Sequence, residues 1–348
     1  MNKLAPTPQK RATLIRDAAI ARTVVLVNGI PGCGKTLLSS IVSSLDRLEL
    51  EKYNYPLECA CQLNFLGKME LEAAVYMVRM LCDLDLYQMM MSRETNFRYS
   101  DLSGVFSNPR PWRYVKRLFG PGDKAVLAKV ENEKPILNLV THNLLSVGEP
   151  LFEALGERLR LIEVVRHPLY TLKQWRVFMP LYAKDPRNFS PWIEFDGQAL
   201  PWFAKNWEDL YLRSNMMDRV IHSIDHLLTL CGGVYQKLPE EQKKRVMLIP
   251  FEPFVLKTAP YIEKLLSFIG TTGGTALAKE MKRQKVPRGK IADGIDLKIY
   301  RQYGWRPAQG DEAAELKARR DFAAAEATPE AMAVLDRLCR EYEAKYPV

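Results

Sequence analysis

The sequence predicts an α/β fold in which a parallel sheet lies between helical layers, a three-layer α/β/α arrangement. Three observations predict it. A β-branched run, Thr23–Asn28, enters a glycine-rich turn and continues as a helical pattern. Three further short apolar runs, Lys134–Val140, Leu159–Val165 and Arg245–Pro250, alternate with segments of helical periodicity. Strands that alternate with helices pair in parallel and need cover on both faces. The 348 residues are 47% hydrophobic and 26% charged, which excludes wholesale disorder and collagen-like repetition.

In chain order, residues 1–20 read as a polar lead-in with a short helix. Thr36–Leu48 follows the glycine turn as a helix. Residues 49–68 read as irregular, with Cys59 and Cys61 spaced for opposite faces of a strand. Met69–Met91, long, apolar and free of Pro and Gly, reads as a buried helix. Residues 92–124 are rich in Asn, Pro, Gly and aromatic side chains and read as loop with a short helix. Helical patterns follow at Pro168–Phe178, Pro201–Leu230 and Pro260–Ile269, and residues 311–348 read as Ala/Glu/Arg-rich surface helices. Length alone suggests about two domains. The motifs described next run from residue 29 to about 290 through one crevice, so a single domain over 1–348 is expected. It carries a large helical insertion at about 50–130, after the first βα unit, and a helical extension at about 311–348.

Fifty Lys and Arg against 41 Asp and Glu leave a net charge of +9, which points to an anionic partner. Residues 279–301 concentrate the excess, with eight Lys/Arg against three acids. The six cysteines form no CxxC pair, and no segment reaches the roughly 18 apolar residues of a membrane span. The N-terminus has no signal-peptide pattern. A soluble protein of a reducing compartment, the cytoplasm, is expected.

The strongest motif is Gly29-Ile-Pro-Gly-Cys-Gly-Lys-Thr36, a GxxxxGK[ST] loop between a strand and a helix. Its glycines let backbone N–H groups cradle phosphate oxygens, and the helix adds the positive end of its dipole. Gly29, Pro31, Gly32, Cys33, Gly34, Lys35 and Thr36 are the expected nucleotide-binding set. Lys35 would neutralise a distal phosphate, and Thr36 would bond an oxygen or Mg²⁺. In a parallel sheet the carboxyl ends of neighbouring strands line the same crevice. His142 and Arg166 stand at two such ends. The first is suited to general-base work near neutral pH, the second to gripping phosphate.

The phosphate loop, a strand ending in Thr141-His142 and a strand ending in Arg166-His167-Pro168 together resemble the sulfotransferases that use 3′-phosphoadenosine 5′-phosphosulfate. The segment Val246–Gly270 is similar to that family's late strand, turn and helix. Lys285–Lys290, with Arg288, is weakly similar to its loop over the 3′-phosphate. The resemblance covers a third to a half of the chain. It implies a sulfotransferase-like fold in which the loop holds the 5′-phosphosulfate and His142 is the catalytic base. Lys35 would assist catalysis, and Arg166, Gln174 and Arg288 would hold the 3′-phosphate. The loop departs from the family: Gly32 stands at its basic position, Lys35 where Thr is usual, and Gln174 where Ser is common.

The Lys35 pattern keeps a second reading open, an ATP- or GTP-dependent kinase with Mg²⁺. A third is a nucleotide-binding protein without catalysis. A Mg²⁺-dependent enzyme wants a carboxylate at a neighbouring strand tip, and Glu163 lies within its strand rather than at the end. No resident metal is expected: His222 and His226 share a helical face but lack a third ligand. Asn108–Phe119, with Arg110, Arg113, Lys116 and Arg117, reads either as a lid or acceptor wall or as a helix with solvated charges. Trp192, Trp202 and Trp207 read as core. No motif supports nucleic-acid binding. The partners expected are a nucleotide donor and an acceptor, with carbohydrate or another small molecule as candidates. The sequence does not fix the oligomeric state.

Overall fold

The computed structural model describes residues 12–101, 103–182, 185–294, 306 and 310–347. Lys298 and Arg301, part of the basic stretch, lie outside these residues. Among the described residues the main sheet has five strands: β1 (Val24–Asn28), β2 (Lys52–Tyr53), β3 (Leu137–Val140), β4 (Leu159–Val165) and, later in the chain, β7 (Val246–Pro250). Their order is β2-β3-β1-β4-β7 and every pairing is parallel. The sequence located four of these strands. It missed β2, a two-residue edge strand inside a segment read as irregular. β5 (Trp192–Phe195) and β6 (Gln198–Pro201) form a separate antiparallel hairpin, also unforeseen. Its turn, Asp196-Gly197, has positive φ at both residues, as an Asp-Gly hairpin turn demands.

β1 occupies the centre because it is buried along its whole length, between β3 and β4. The chain runs from β1 out to the edge, returns to β3, then crosses to β4. The carboxyl ends of β3 and β4 therefore flank the end of β1, where the phosphate loop begins. In an open parallel sheet this reversal point is the usual ligand crevice.

Helices cover both sides. α1 (Lys35–Ser43) is shorter than expected. Between β2 and β3 lie α2 (Tyr55–Phe65), α3 (Leu71–Met89), α4 (Pro111–Arg117) and α5 (Lys124–Glu133). The two cysteines expected on a strand lie on α2. That helix starts at Asn54, whose side chain accepts from Leu57 N at 2.8 Å, with Pro56 in the first turn. After β3 come α6 (Glu149–Leu155), α7 (Pro168–Phe178), α8 (Glu208–Arg213), α9 (Met216–Lys237) and α10 (Glu240–Lys243). The single pattern read over Pro201–Leu230 is thus broken into a 3-10 turn at Trp202–Ala204, α8 and α9. After β7 follow α11 (Phe251–Leu256), α12 (Thr258–Ile269) and α13 (Thr275–Arg283). The C-terminal helices are Glu312–Ala324 and Pro329–Lys345. Among the described residues no helix is long and apolar enough to cross a membrane.

The basic face of α4 is neither lid nor acceptor wall. Arg110 donates to the carbonyl of Ser44 at the end of α1, 2.7 Å away, which satisfies a helix-terminal acceptor. Arg117 grips the buried Glu49 carboxylate with two bonds of 2.7 and 3.0 Å, and Arg113 joins the same carboxylate. Removing one partner of a buried charge cluster strands the others. Glu49→Ala is therefore expected to destabilise the chain by about 3–5 kcal/mol, read as a lowered urea midpoint in equilibrium unfolding.

Candidate functional site

The turn after β1 is shaped by residues that only glycine can replace. Gly29, Gly32 and Gly34 have φ of 147°, 84° and 94°. A Cβ at Gly29 would stand 2.6 Å from the Val164 carbonyl oxygen, and one at Gly34 would enter the Phe251 ring. Surrounding side chains take the loop's carbonyls. Lys35 Nζ donates to Gly29 O at 3.1 Å, Trp175 Nε1 to Pro31 O at 2.9 Å, and Arg166 Nη1 to Gly32 O at 2.7 Å. No side chain caps α1 at Gly34. Leu37 N bonds back to Gly34 O at 3.1 Å, and the start of the helix presents the positive end of its dipole to an anion. Lys35 is buried, which holds its ammonium below the ordinary lysine value.

A cavity of about 1060 Å³ opens at this loop. Of the expected binding residues, Pro31, Gly32, Gly34, Lys35 and Thr36 line it, as do His142, Arg166, Gln174 and Arg288. Gly29 and Cys33 do not. Cys33 is fully buried, and burial pushes its thiol up, so it serves the fold of the loop rather than contact with a ligand.

His142 is held from two sides. Its backbone N–H donates to Glu58 Oε1 at 3.0 Å, and its ring Nδ1 lies 3.1 Å from the same oxygen. With Nδ1–H donating to that carboxylate, Nε2 is the unprotonated nitrogen. The ring lies nearly parallel to that of Tyr55, at an interplanar angle of 7°, and also stacks on Tyr53. The side chain keeps 27% exposure, enough to be reached from the cavity. Desolvation, then the nearby Lys35 charge, hold the imidazole below its ordinary 6.5, with Glu58 opposing. The turn itself is fixed by Asn28, whose Oδ1 accepts from Thr141 Oγ1 at 2.9 Å and Leu144 N at 3.0 Å. Glu58 is not among the expected site residues, because the segment that carries it reads as irregular, although Asn54-Tyr55-Pro56 is a local helix-start signal.

Among the described residues, seven Lys/Arg side chains line the cavity against two acids, Glu58 and Asp185. Lys35, Arg166 and Arg288 were expected there; Lys173, Arg187, Arg283 and Arg319 were not. Arg166 sits 4.3 Å from the Phe251 ring centre and 3.4 Å from the Glu252 carboxylate. Glu252 also accepts from Tyr342 Oη at 2.5 Å, in the last helix. Arg319 bonds Glu315 at 2.8 Å and lies 4.2 Å from the Tyr170 ring centre. Burial, then Arg166 nearby, hold its pKa below the ordinary arginine value. The C-terminal helices are thus more than surface cover, since they bring Arg319 and Tyr342 to the site.

Other candidates fall elsewhere. Trp202 lines the cavity, whereas Trp192 packs on Tyr182 and Trp207 on His226. No group of three or more His, Cys, Asp or Glu among the described residues is placed to hold a metal ion.

No protein-family model matches the chain, and no curated protein does. Among solved structures it is similar to a sulfotransferase domain from the Synechococcus PCC 7002 olefin synthase, at 13% identity and a TM-score of 0.43 over 97% of this chain and 100% of that one. A sulfotransferase domain from the curacin biosynthetic pathway shares 12% identity with a TM-score of 0.39, over 88% and 99%. The sulfotransferase STF9 from Mycobacterium avium shares 11% with a TM-score of 0.42, over 95% and 78%.

Glu163 sits beneath the loop, where Asn28 Nδ2 donates to it at 2.5 Å. Burial pushes its carboxyl up to about 7, against the Asn28 bond and the Lys35 charge. Its unfolded counterpart ionises near 4.5, so the folded chain retains a proton that the unfolded chain loses, and stability falls as pH rises from 4.5 to 7. Glutamine keeps the acceptor for Asn28 without that penalty. Glu163→Gln is expected to be more stable than the parent at pH 8, by up to about 3 kcal/mol. The gap should close toward pH 4 when urea unfolding is compared at the two pH values.

Proposed function

We propose that the chain transfers a sulfuryl group from 3′-phosphoadenosine 5′-phosphosulfate to an acceptor hydroxyl or amine. One observation carries this reading: a phosphate-type loop and a carboxylate-held imidazole open onto the same cavity, whose wall is rich in guanidinium groups. The residues fit a doubly phosphorylated nucleotide. The glycine turn offers its amides to one phosphate, while Arg166, Gln174 and Arg288, joined by Arg319, offer donors to the other. When bound, the nucleotide supplies an electrophilic sulfur with a phosphate leaving group.

His142 Nε2 takes the acceptor proton, and Glu58 holds the ring in the tautomer that leaves this nitrogen free. Lys35 balances the charge that develops on the leaving oxygen. The resembling family places a cation at the position of Gly32. A side chain there is strained by the positive φ and crowded by Gln174, whose Oε1 would lie 3.1 Å from a Cβ at Gly32. Lys35 therefore supplies the charge from the other side of the turn.

The kinase alternative asks for a carboxylate near Thr36 to hold Mg²⁺. Glu58 is engaged by His142, Asp185 by Arg187, and Glu163 by Asn28. A reducing, cytoplasmic setting accords with the six free cysteines.

Isothermal calorimetry should show adenosine 3′,5′-bisphosphate binding at least about tenfold tighter than ATP with Mg²⁺; the reverse order would favour the kinase. His142→Ala should lower kcat by about 10²–10⁴ and leave nucleotide affinity nearly unchanged. The general base works unprotonated, so in the parent kcat/KM should rise with pH through a midpoint below 6.5 and then level off.

A further inference from the structure

We infer that the acceptor is a flat, apolar alcohol of the phenol class carrying a second hydrogen-bond donor, rather than a carbohydrate. This rests on the sulfuryl-transfer reading above and specifies its second substrate.

The wall beside His142 is aromatic. Tyr53 and Tyr55 stack with the imidazole, and Phe189 leans on Tyr55 with ring centres 5.4 Å apart. Tyr182, Phe203 and Trp202 continue the same lining, with Phe203 5.8 Å from each of the other two. Offset and edge-to-face aromatic surfaces favour a planar ring. A sugar would bring many hydroxyl groups that each need a partner, and the polar groups of this wall are engaged with one another. Asp185 and Arg187 form an ion pair of 2.6 Å. Asn188 donates to Tyr182 O at 3.2 Å and accepts from Ser190 N at 3.1 Å.

Two polar groups differ. Gln62 and Asn143 line the cavity with 2% and 4% exposure, and Gln62 Oε1 and Asn143 Oδ1 have no partner among the described residues. A buried acceptor without a donor is costly unless a ligand supplies one. Asn143 stands against the phosphate loop, its N–H donating to Gly29 O at 3.4 Å, whereas Gln62 stands on α2 one turn after Glu58, the residue that holds His142, so Gln62 is the group that reads a second hydroxyl or N–H on the acceptor. In the transfer, a lone pair of the acceptor oxygen forms the new O–S bond. The bond from sulfur to the 5′-phosphate oxygen breaks, its electron pair staying on that oxygen as adenosine 3′,5′-bisphosphate leaves. The acceptor proton passes to His142 Nε2.

The test is calorimetry on the full chain saturated with adenosine 3′,5′-bisphosphate, titrated with 2-naphthol, the dihydroxynaphthalene isomers and N-acetylglucosamine. 2-Naphthol should bind at least about tenfold tighter than the sugar, and one dihydroxynaphthalene isomer about tenfold tighter again. Gln62→Leu should erase the second preference and keep the first. Phe189→Ala, at an exposed position, should weaken 2-naphthol about fivefold or more while leaving bisphosphate affinity unchanged. Tighter binding of the sugar, or no naphthol binding by a chain that binds the bisphosphate, would overturn the acceptor assignment and leave the donor reading standing. No bisphosphate binding would overturn the donor reading, and the naphthol titrations on the nucleotide-free chain would still decide the acceptor class.

Discussion

The site depends on one constraint: eight residues must turn from strand to helix with their carbonyls held away from the ligand. Backbone N–H groups bind an anion only if the adjacent carbonyl dipoles do not face it. Three glycines give the turn its path, at φ values that side-chain-bearing residues rarely adopt. The carbonyls are then held by groups from three elements: Lys35 from α1, Arg166 from the end of β4 and Trp175 from α7. Phe251, at the start of α11, fills the space a Cβ at Gly34 would occupy. A nine-residue helix and its preceding loop could not hold this shape alone. The central position of β1 is what allows three other elements to reach it.

The same packing sets the electrostatics. Concentrating cations around a partly buried cavity is unfavourable in the absence of an anion, and the lowered pKa of Arg319, set by burial and then by the Arg166 charge, registers that tension, whereas burial alone lowers that of Lys35. Glu252 and Glu315 relieve it in part by pairing with Arg166 and Arg319. The imidazole of His142 benefits from the same field, since burial and the Lys35 charge keep it unprotonated while Glu58 keeps it oriented. Cation clustering and base activation are thus two results of one arrangement.

Much of this was legible in the sequence where local chemistry decides. The β-branched run and its glycine turn identified β1 and the loop, and the rule for strand ends placed His142 and Arg166 beside it. Other features had local signals that went unread. Asn54 followed by Tyr55-Pro56 marks a helix start and would have put Glu58 on α2, and Asp196-Gly197 marks a hairpin. Arg319 and Trp175 carry no such signal, because nothing local shows that they meet residues about 150 positions earlier in the chain. The basic stretch at 279–301 was a fair pointer to Arg283 and Arg288, but five of the seven described cations that line the cavity come from outside it, and Lys298 and Arg301 lie beyond the described residues.

The central claim is that the cavity holds two phosphates at separate places, one on the loop and one among the arginines. The direct measurement is the affinity ratio between adenosine 3′,5′-bisphosphate and adenosine 5′-phosphate, for the parent and for Arg166→Ala. Charge-assisted bonds to the second phosphate predict a preference of about tenfold to hundredfold in the parent, sharply reduced in the variant. Equal affinities in the parent would contradict the account.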